Sequence, residues 1–151
     1  MNHTQLFVTK HPVAIDSHVD AIELLLDMKS NYVRMAGIHG LGGLGKTTTA
    51  KAIYNRIINC FELCCFLEGI REKSRTNDDI IKLQEMSLSK ISQGTFVKVD
   101  NVPKGIIMIK ERFCRTRLLL ILDNVDESEV IVILLGECDW FALGSRTIIT
   151  T

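Results

Sequence analysis

Residues Gly40-Leu41-Gly42-Gly43-Leu44-Gly45-Lys46-Thr47 place four glycines ahead of an amine and a hydroxyl. This is the order G-x-x-x-x-G-K-[ST] of a phosphate-cradling P-loop. Glycines let a backbone wrap around phosphate without Cβ clashes, so that amide hydrogens and the start of a following helix point at the anion. On this reading Gly40, Gly42, Gly43, Leu44 and Gly45 form the cradle. Lys46 brings a mobile positive charge to the β and γ phosphates, Thr47 offers a hydroxyl to magnesium, and Thr48 adds a further hydroxyl or amide. Farther along, Leu118-Leu-Leu-Ile-Leu122-Asp123 has the form of a Walker B strand, which delivers a carboxylate to the magnesium shell beside a P-loop. An apolar strand ending in Asp is common, with the Asp merely starting a turn. Its joint occurrence with the P-loop assigns Asp123, together with Thr47, to magnesium, and makes Asp123 the candidate catalytic carboxylate.

A rival chemistry uses the same glycines. Gly40, Gly42 and Gly45 also spell G-x-G-x-x-G, and Glu68 lies about where a dinucleotide fold places its ribose-binding acid, which would make this an oxidoreductase domain holding NAD. Lys46-Thr47 has no required role in that fingerprint, whereas the P-loop needs both residues. Asp126 and Glu127 read as a helix cap and a first-turn acid rather than as catalytic carboxylates. A P-loop needs no imidazole at His39, and His3, His11 and His18 have no acidic or metal partner in sequence. The five cysteines, at 60, 64, 65, 114 and 138, form no C-x-x-C pair and no zinc spacing, and read as reduced, buried small residues.

These groups need a strand before the loop and a helix after it. Tyr32 to Ile38 reads as that strand, and Lys46 to about Ile58 as that helix, with Ala50, Ile53 and Ile57 on one face. Upstream, Asp16 or Ser17 caps a helix to about Met28, carrying Val19, Ile22, Leu25 and Leu26 as its apolar stripe. Cys64 to Ile70 reads as a strand, and Asp78 or Asp79 caps a helix reaching Ser92. Pro103 opens another helix, and the unbroken run Leu118 to Leu122 is a parallel strand covered on both faces. Glu127 to Leu135 follows as helix, although its β-branched residues also permit a strand, and Arg146 to Thr151 reads as the final strand. The alternation predicts a three-layer α/β fold with a mainly parallel sheet, the site lying at the strands' carboxyl ends.

Composition agrees with one packed domain. The chain has 151 residues, 46% apolar and 24% charged, with Lys plus Arg equal to Asp plus Glu at 18 each. No overall field favours nucleic acid or an anionic membrane, so phosphate binding must be local. The longest apolar runs fall far short of the ~20 residues that span a bilayer, and Met1 is not followed by a signal-peptide pattern.

The blocks Gly37-Ile-His-Gly-Leu-Gly-Gly-Leu-Gly-Lys-Thr-Thr48, Phe66-Leu-Glu-Gly-Ile-Arg-Glu72, Leu118-Leu-Leu-Ile-Leu-Asp-Asn-Val-Asp126 and Gly144-Ser-Arg-Thr-Ile-Ile-Thr-Thr151 occur in one order. In that order they resemble the NB-ARC domain of plant NBS-LRR disease-resistance proteins. The resemblance covers about residues 12 to 151, and Asp126 closing the third block resembles the class with an N-terminal TIR domain. It implies an ATP/ADP switch in a cytoplasmic immune receptor that also carries ARC and LRR regions, resting with ADP, signalling with ATP and reset by weak hydrolysis. Residues 1–12 are then a linker and 13–151 a partial, truncated nucleotide-binding domain. Pro12-Val-Ala-Ile-Asp16 resembles the family's adenine-side entry, which nominates Val13 as a base contact. Two departures stand out. The family's second acid after the Walker B Asp is here Asn124, an amide that polarises water poorly, so hydrolysis should be slow. The sequence also stops before the arginine that follows the family's Thr-Thr, leaving a γ-phosphate sensor missing. Arg146 is not its replacement by motif position, and reads as a solvent-facing strand residue.

Overall fold

A computed structural model describes Leu6 and residues 13–39, 44–136 and 140–151. In chain order the elements are α1 (Val13–Leu26), β1 (Arg34–Ile38), α2 (Leu44–Ile57), β2 (Leu63–Leu67), α3 (Asn77–Ile91), α4 (Val102–Phe113), β3 (Leu118–Leu122), α5 (Ser128–Leu135) and β4 (Arg146–Thr150). A single 3-10 turn, Ile58–Cys60, follows α2. The four strands form one sheet in the order β1-β4-β3-β2, and every neighbouring pair is parallel.

The expected three layers are present, and the period of two along the strands builds them. Leu118, Leu120 and Leu122 face a core shared with Leu83 and Leu88 of α3, Ile109 and Phe113 of α4, and Leu134 of α5. Leu119 and Ile121 face the opposite core, with Val19, Ile22 and Leu26 of α1 and Ala50, Ile53 and Ile57 of α2. The unbroken apolar run is thus explained: a central strand covered on both sides has no polar face to show. On the first side α3 and α4 cross closely, because a Cβ at Gly105 would come within 2.2 Å of Gln84 Oε1.

Several local expectations change. Helix α1 starts at Val13, ahead of the expected Asp16 or Ser17 cap, and Leu25 leaves the apolar stripe, being 65% exposed. Helix α3 is capped by Thr76, whose hydroxyl accepts from Asp79 N–H at 3.1 Å, not by Asp78 or Asp79. Asp126 does not cap α5 but pairs with Arg71 at 3.5 Å, and Glu127 holds the N-cap position without a side-chain bond. Cys64 and Cys65 are buried as expected, whereas Cys60 and Cys114 are exposed, and Cys138 lies outside the described residues.

Arg146 is the largest correction. It is fully buried rather than solvent-facing. Its Nε donates to Leu26 O at 2.6 Å, Nη1 to Tyr32 O at 2.7 Å and Ser145 O at 3.0 Å, and Nη2 to Asp27 O and Ser30 O at 2.7 Å each. A guanidinium has five N–H donors, and all are used. The last carbonyls of a helix have no partner within it and carry partial negative charge, so the cation closes the end of α1 and ties it to β4. Burial, and then the charges of Arg117 and Arg34, lowers the Arg146 pKa.

Candidate functional site

Because all strands run the same way, the residues that follow β1, β2, β3 and β4 gather along one edge of the sheet. Helix α2 starts at that edge, with Lys46, Thr47 and Thr48 in its first turns. Thr49, which is buried, donates to Gly45 O at 2.8 Å and fixes this turn from below. Thr47 Oγ1 lies 3.0 Å and 3.1 Å from the two carboxylate oxygens of Asp123, so the two residues assigned to one cation from sequence are in contact. Asp123 is only 2% exposed, and its backbone is held on both sides. Its N–H donates to Leu67 O of β2 at 2.9 Å, and its carbonyl accepts from Ile70 N–H at 2.9 Å. On the other flank, Thr150 Oγ1 donates to Asp123 Oδ1 at 2.7 Å. Lys46 Nζ donates to the backbone carbonyl of Thr151, and His39 Nδ1 is 3.0 Å from Thr151 Oγ1. A hydroxyl and a carboxylate meeting at a helix start form an all-oxygen donor set suited to a hard divalent cation such as magnesium.

A hollow of about 220 Å³ between α1 and the end of β1 faces this edge and is lined by His18, Ala21, Ile22, Gly37, Ile38 and His39. A larger one, about 510 Å³, runs beside Asp20 and Glu23 of α1 and Met28 in the turn after it, but none of Lys46, Thr47 and Asp123 lines it. Among the described residues, no cluster of three or more His, Cys, Asp or Glu side chains is placed to hold a metal. No described helix is long and apolar enough to cross a membrane.

The NB-ARC domain model matches residues 15–151. The chain belongs to the NB-ARC family. It is 42% identical over 148 residues to disease resistance protein RPV1 of Vitis rotundifolia, covering 97% of this chain and 10% of that protein. It is 36% identical over 146 residues to TMV resistance protein N of Nicotiana glutinosa, covering 92% and 12%. The chain therefore spans about a tenth of the length of the curated relatives it matches. Among solved structures it is similar to Cdc6p from Pyrobaculum aerophilum, with a TM-score of 0.68 at 14% identity, over 95% of this chain and 40% of that one. At that identity the likeness concerns the fold alone, which is the P-loop NTPase fold.

In this NB-ARC chain the sheet order also decides against the dinucleotide fold, where β2 lies beside β1. Here β4 and β3 stand between them, and Glu68, at the end of the far strand, pairs with Lys51 of α2 at 3.0 Å. Of the residues assigned from sequence, Lys46, Thr47 and Asp123 come together, Gly45 and Thr48 lie beside them in α2, and Leu44 opens that helix. Gly40, Gly42 and Gly43 lie outside the described residues, as does the side chain of Val13. Asn124 takes a left-handed φ of +59°, a conformation Asn tolerates better than most residues. Sequence reasoning missed Thr150 and gave His39 no contact. The signal for Thr150 was the paired threonine ending the Gly144–Thr151 block, read there only as family pattern.

Proposed function

We propose that this chain binds ATP or ADP with magnesium through the edge formed by β1, β3, β4 and the start of α2, as the nucleotide-holding part of an immune-receptor switch. The observation that carries the reading is the contact between Thr47 and Asp123, residues separated by 76 positions and joined by 3.0 Å and 3.1 Å hydrogen bonds. Gly40, Gly42, Gly43, Leu44 and Gly45 cradle phosphate through backbone amides, and Lys46 exchanges its Thr151 carbonyl for phosphate oxygens. Thr47 and Asp123 hold magnesium, with Thr48 as a further phosphate contact and Val13 beside the base. Magnesium bound there neutralises charge on the β and γ phosphates. Asp123 is the candidate catalytic carboxylate, and Asn124 beside it keeps hydrolysis slow. Residues 1–12 act as linker and 13–151 as part of the domain, within a cytoplasmic protein that also carries TIR, ARC and LRR regions. The disease-resistance names of the relatives support the immune assignment.

The test is titration calorimetry of the chain with ADP, ATP and NAD, with and without magnesium. Micromolar-range ADP or ATP binding that NAD fails to displace is expected. Tighter binding of NAD, or no nucleotide binding by folded protein, overturns the reading.

A further inference from the structure

We infer that Thr150 is a positioning residue for magnesium: its buried hydroxyl anchors one oxygen of Asp123 and so aims the other at the phosphate edge. The inference deepens the nucleotide reading above and rests on it.

Thr150 ends β4 and is 1% exposed, so its hydroxyl must find its partners inside the protein. That group has one hydrogen and two lone pairs. Asn124 N–H donates to Thr150 Oγ1 at 2.8 Å, which uses a lone pair and leaves the hydrogen for Asp123 Oδ1 at 2.7 Å. The direction of the relay is therefore set: backbone amide to hydroxyl to carboxylate. The second bond has the ordinary length of a hydroxyl donating to oxygen. Val125 N–H donates to Thr150 O at 2.8 Å, so side chain and backbone of one residue both grip the segment after β3.

The two carboxylate oxygens end up unequal. Oδ1 accepts from Thr150 and Thr47, whereas Oδ2 has Thr47 alone at 3.1 Å among the described contacts. A cation that competes for Thr47 and Asp123 meets a carboxylate already fixed through Oδ1, with Oδ2 as the oxygen to give. Without the Thr150 hydroxyl, Asp123 pays for its own alignment each time. A purely structural Thr150, tying β4 to the loop after β3, would support nucleotide binding to the same degree with or without magnesium.

Thr150→Val keeps the β-branched shape that suits a strand and removes the hydroxyl, while Thr150→Ser keeps the hydroxyl. ADP affinity of the chain and both variants is measured by calorimetry in excess magnesium and in EDTA. The expected result is a loss of about tenfold for Thr150→Val in magnesium, in line with removal of partners that orient a metal ligand. Its EDTA affinity should stay within about twofold, and Thr150→Ser should recover most of the loss. Equal losses in both buffers, or no loss, overturn the proposal. If Thr150→Val does not fold, Thr150→Ala is read by the same two affinities, and failure of both to fold assigns Thr150 a structural role and overturns it too. Wild-type protein that binds no ADP defeats the nucleotide reading itself, whereas magnesium-dependent wild-type binding with an indifferent Thr150→Val defeats only this inference.

Discussion

Arg146 and Lys46 are cations at opposite ends of one parallel sheet, and their surroundings differ in kind. At the amino end of β4, Arg146 is fully buried and spends all five donors on backbone carbonyls, most of them from the end of α1 and the turn after it. At the carboxyl ends of the strands, Lys46 is bonded to the one carbonyl of Thr151 in an exposed setting. A phosphate that reached Arg146 would have to displace five backbone acceptors at once, of which Asp27 O and Ser145 O also accept from Ser30 N–H and Arg34 N–H whereas Leu26 O, Ser30 O and Tyr32 O depend on the guanidinium. One reaching Lys46 displaces a carbonyl that water can satisfy. The role of a cation is thus set by what its donors already hold, not by its charge, and the same sheet keeps one cation for architecture and leaves the other for an anion.

The comparison breaks most easily at the amino end. Arg146→Met should destabilise the fold by roughly 3–5 kcal/mol, because removing one side of a buried charged network leaves several carbonyls unpaired. That is a large part of the stability of a domain this size, and denaturant titration followed by circular dichroism measures it. Arg146→Lys should recover little, since three donors on a flexible stem replace five in a planar fork. A loss under about 1 kcal/mol for Arg146→Met would mean that water re-satisfies those carbonyls and that the two cations are not different in kind.

Lys46→Ala should give the opposite pattern. Stability is expected to stay within about 0.5 kcal/mol, as for most exposed substitutions, while ADP affinity falls roughly 10- to 100-fold through loss of a charge-assisted bond to phosphate. Calorimetry and the same denaturant titration check both arms. Unchanged affinity in a folded Lys46→Ala protein would remove the P-loop assignment.

What was legible in the sequence follows the same division. Leu118 to Leu122 was read with its boundaries correct, because a short apolar run closed by Asp123 fits a strand covered on both faces, although the equally unbroken Val130 to Leu135 lies in a helix. Lys46, Thr47 and Asp123 were nominated together because the P-loop spacing and an apolar strand ending in Asp occur jointly. Arg146 was not legible: its partners Leu26 and Tyr32 lie 120 and 114 residues away, and nothing local distinguishes a strand arginine in water from one buried among carbonyls. Thr150 was missed for a related reason. Its bond to Asp123 exists only because β4 pairs with β3, with Ile149 beside Leu122, and a strand pattern does not give sheet order. The start of α1 was misplaced because Asp16 and Ser17 were favoured as caps over the helix-opening position directly after Pro12.

The smallest expected effect concerns Asn124, which sits at the functional end but whose backbone is spent like that of a structural residue. Its N–H is held by Thr150 Oγ1 and its carbonyl by Arg71 N–H, both within 2.9 Å, around a φ of +59°. Aspartate tolerates this left-handed conformation, so Asn124→Asp should fold and bind ADP as the wild type does. It restores a carboxylate able to accept a proton beside Asp123. It does not by itself orient a water molecule or stabilise charge on the γ phosphate, and these terms usually dominate over the identity of the base. Turnover should therefore rise by less than about threefold from a low background, which a phosphate-release assay on the two proteins resolves. Adding Asn124→Asp to a chain extended through the ARC subdomains separates the causes, since a gain confined to the extended chain assigns the deficit to positioning. Full activity from Asn124→Asp alone would show instead that the carboxyl end is already organised for hydrolysis and lacked only its base.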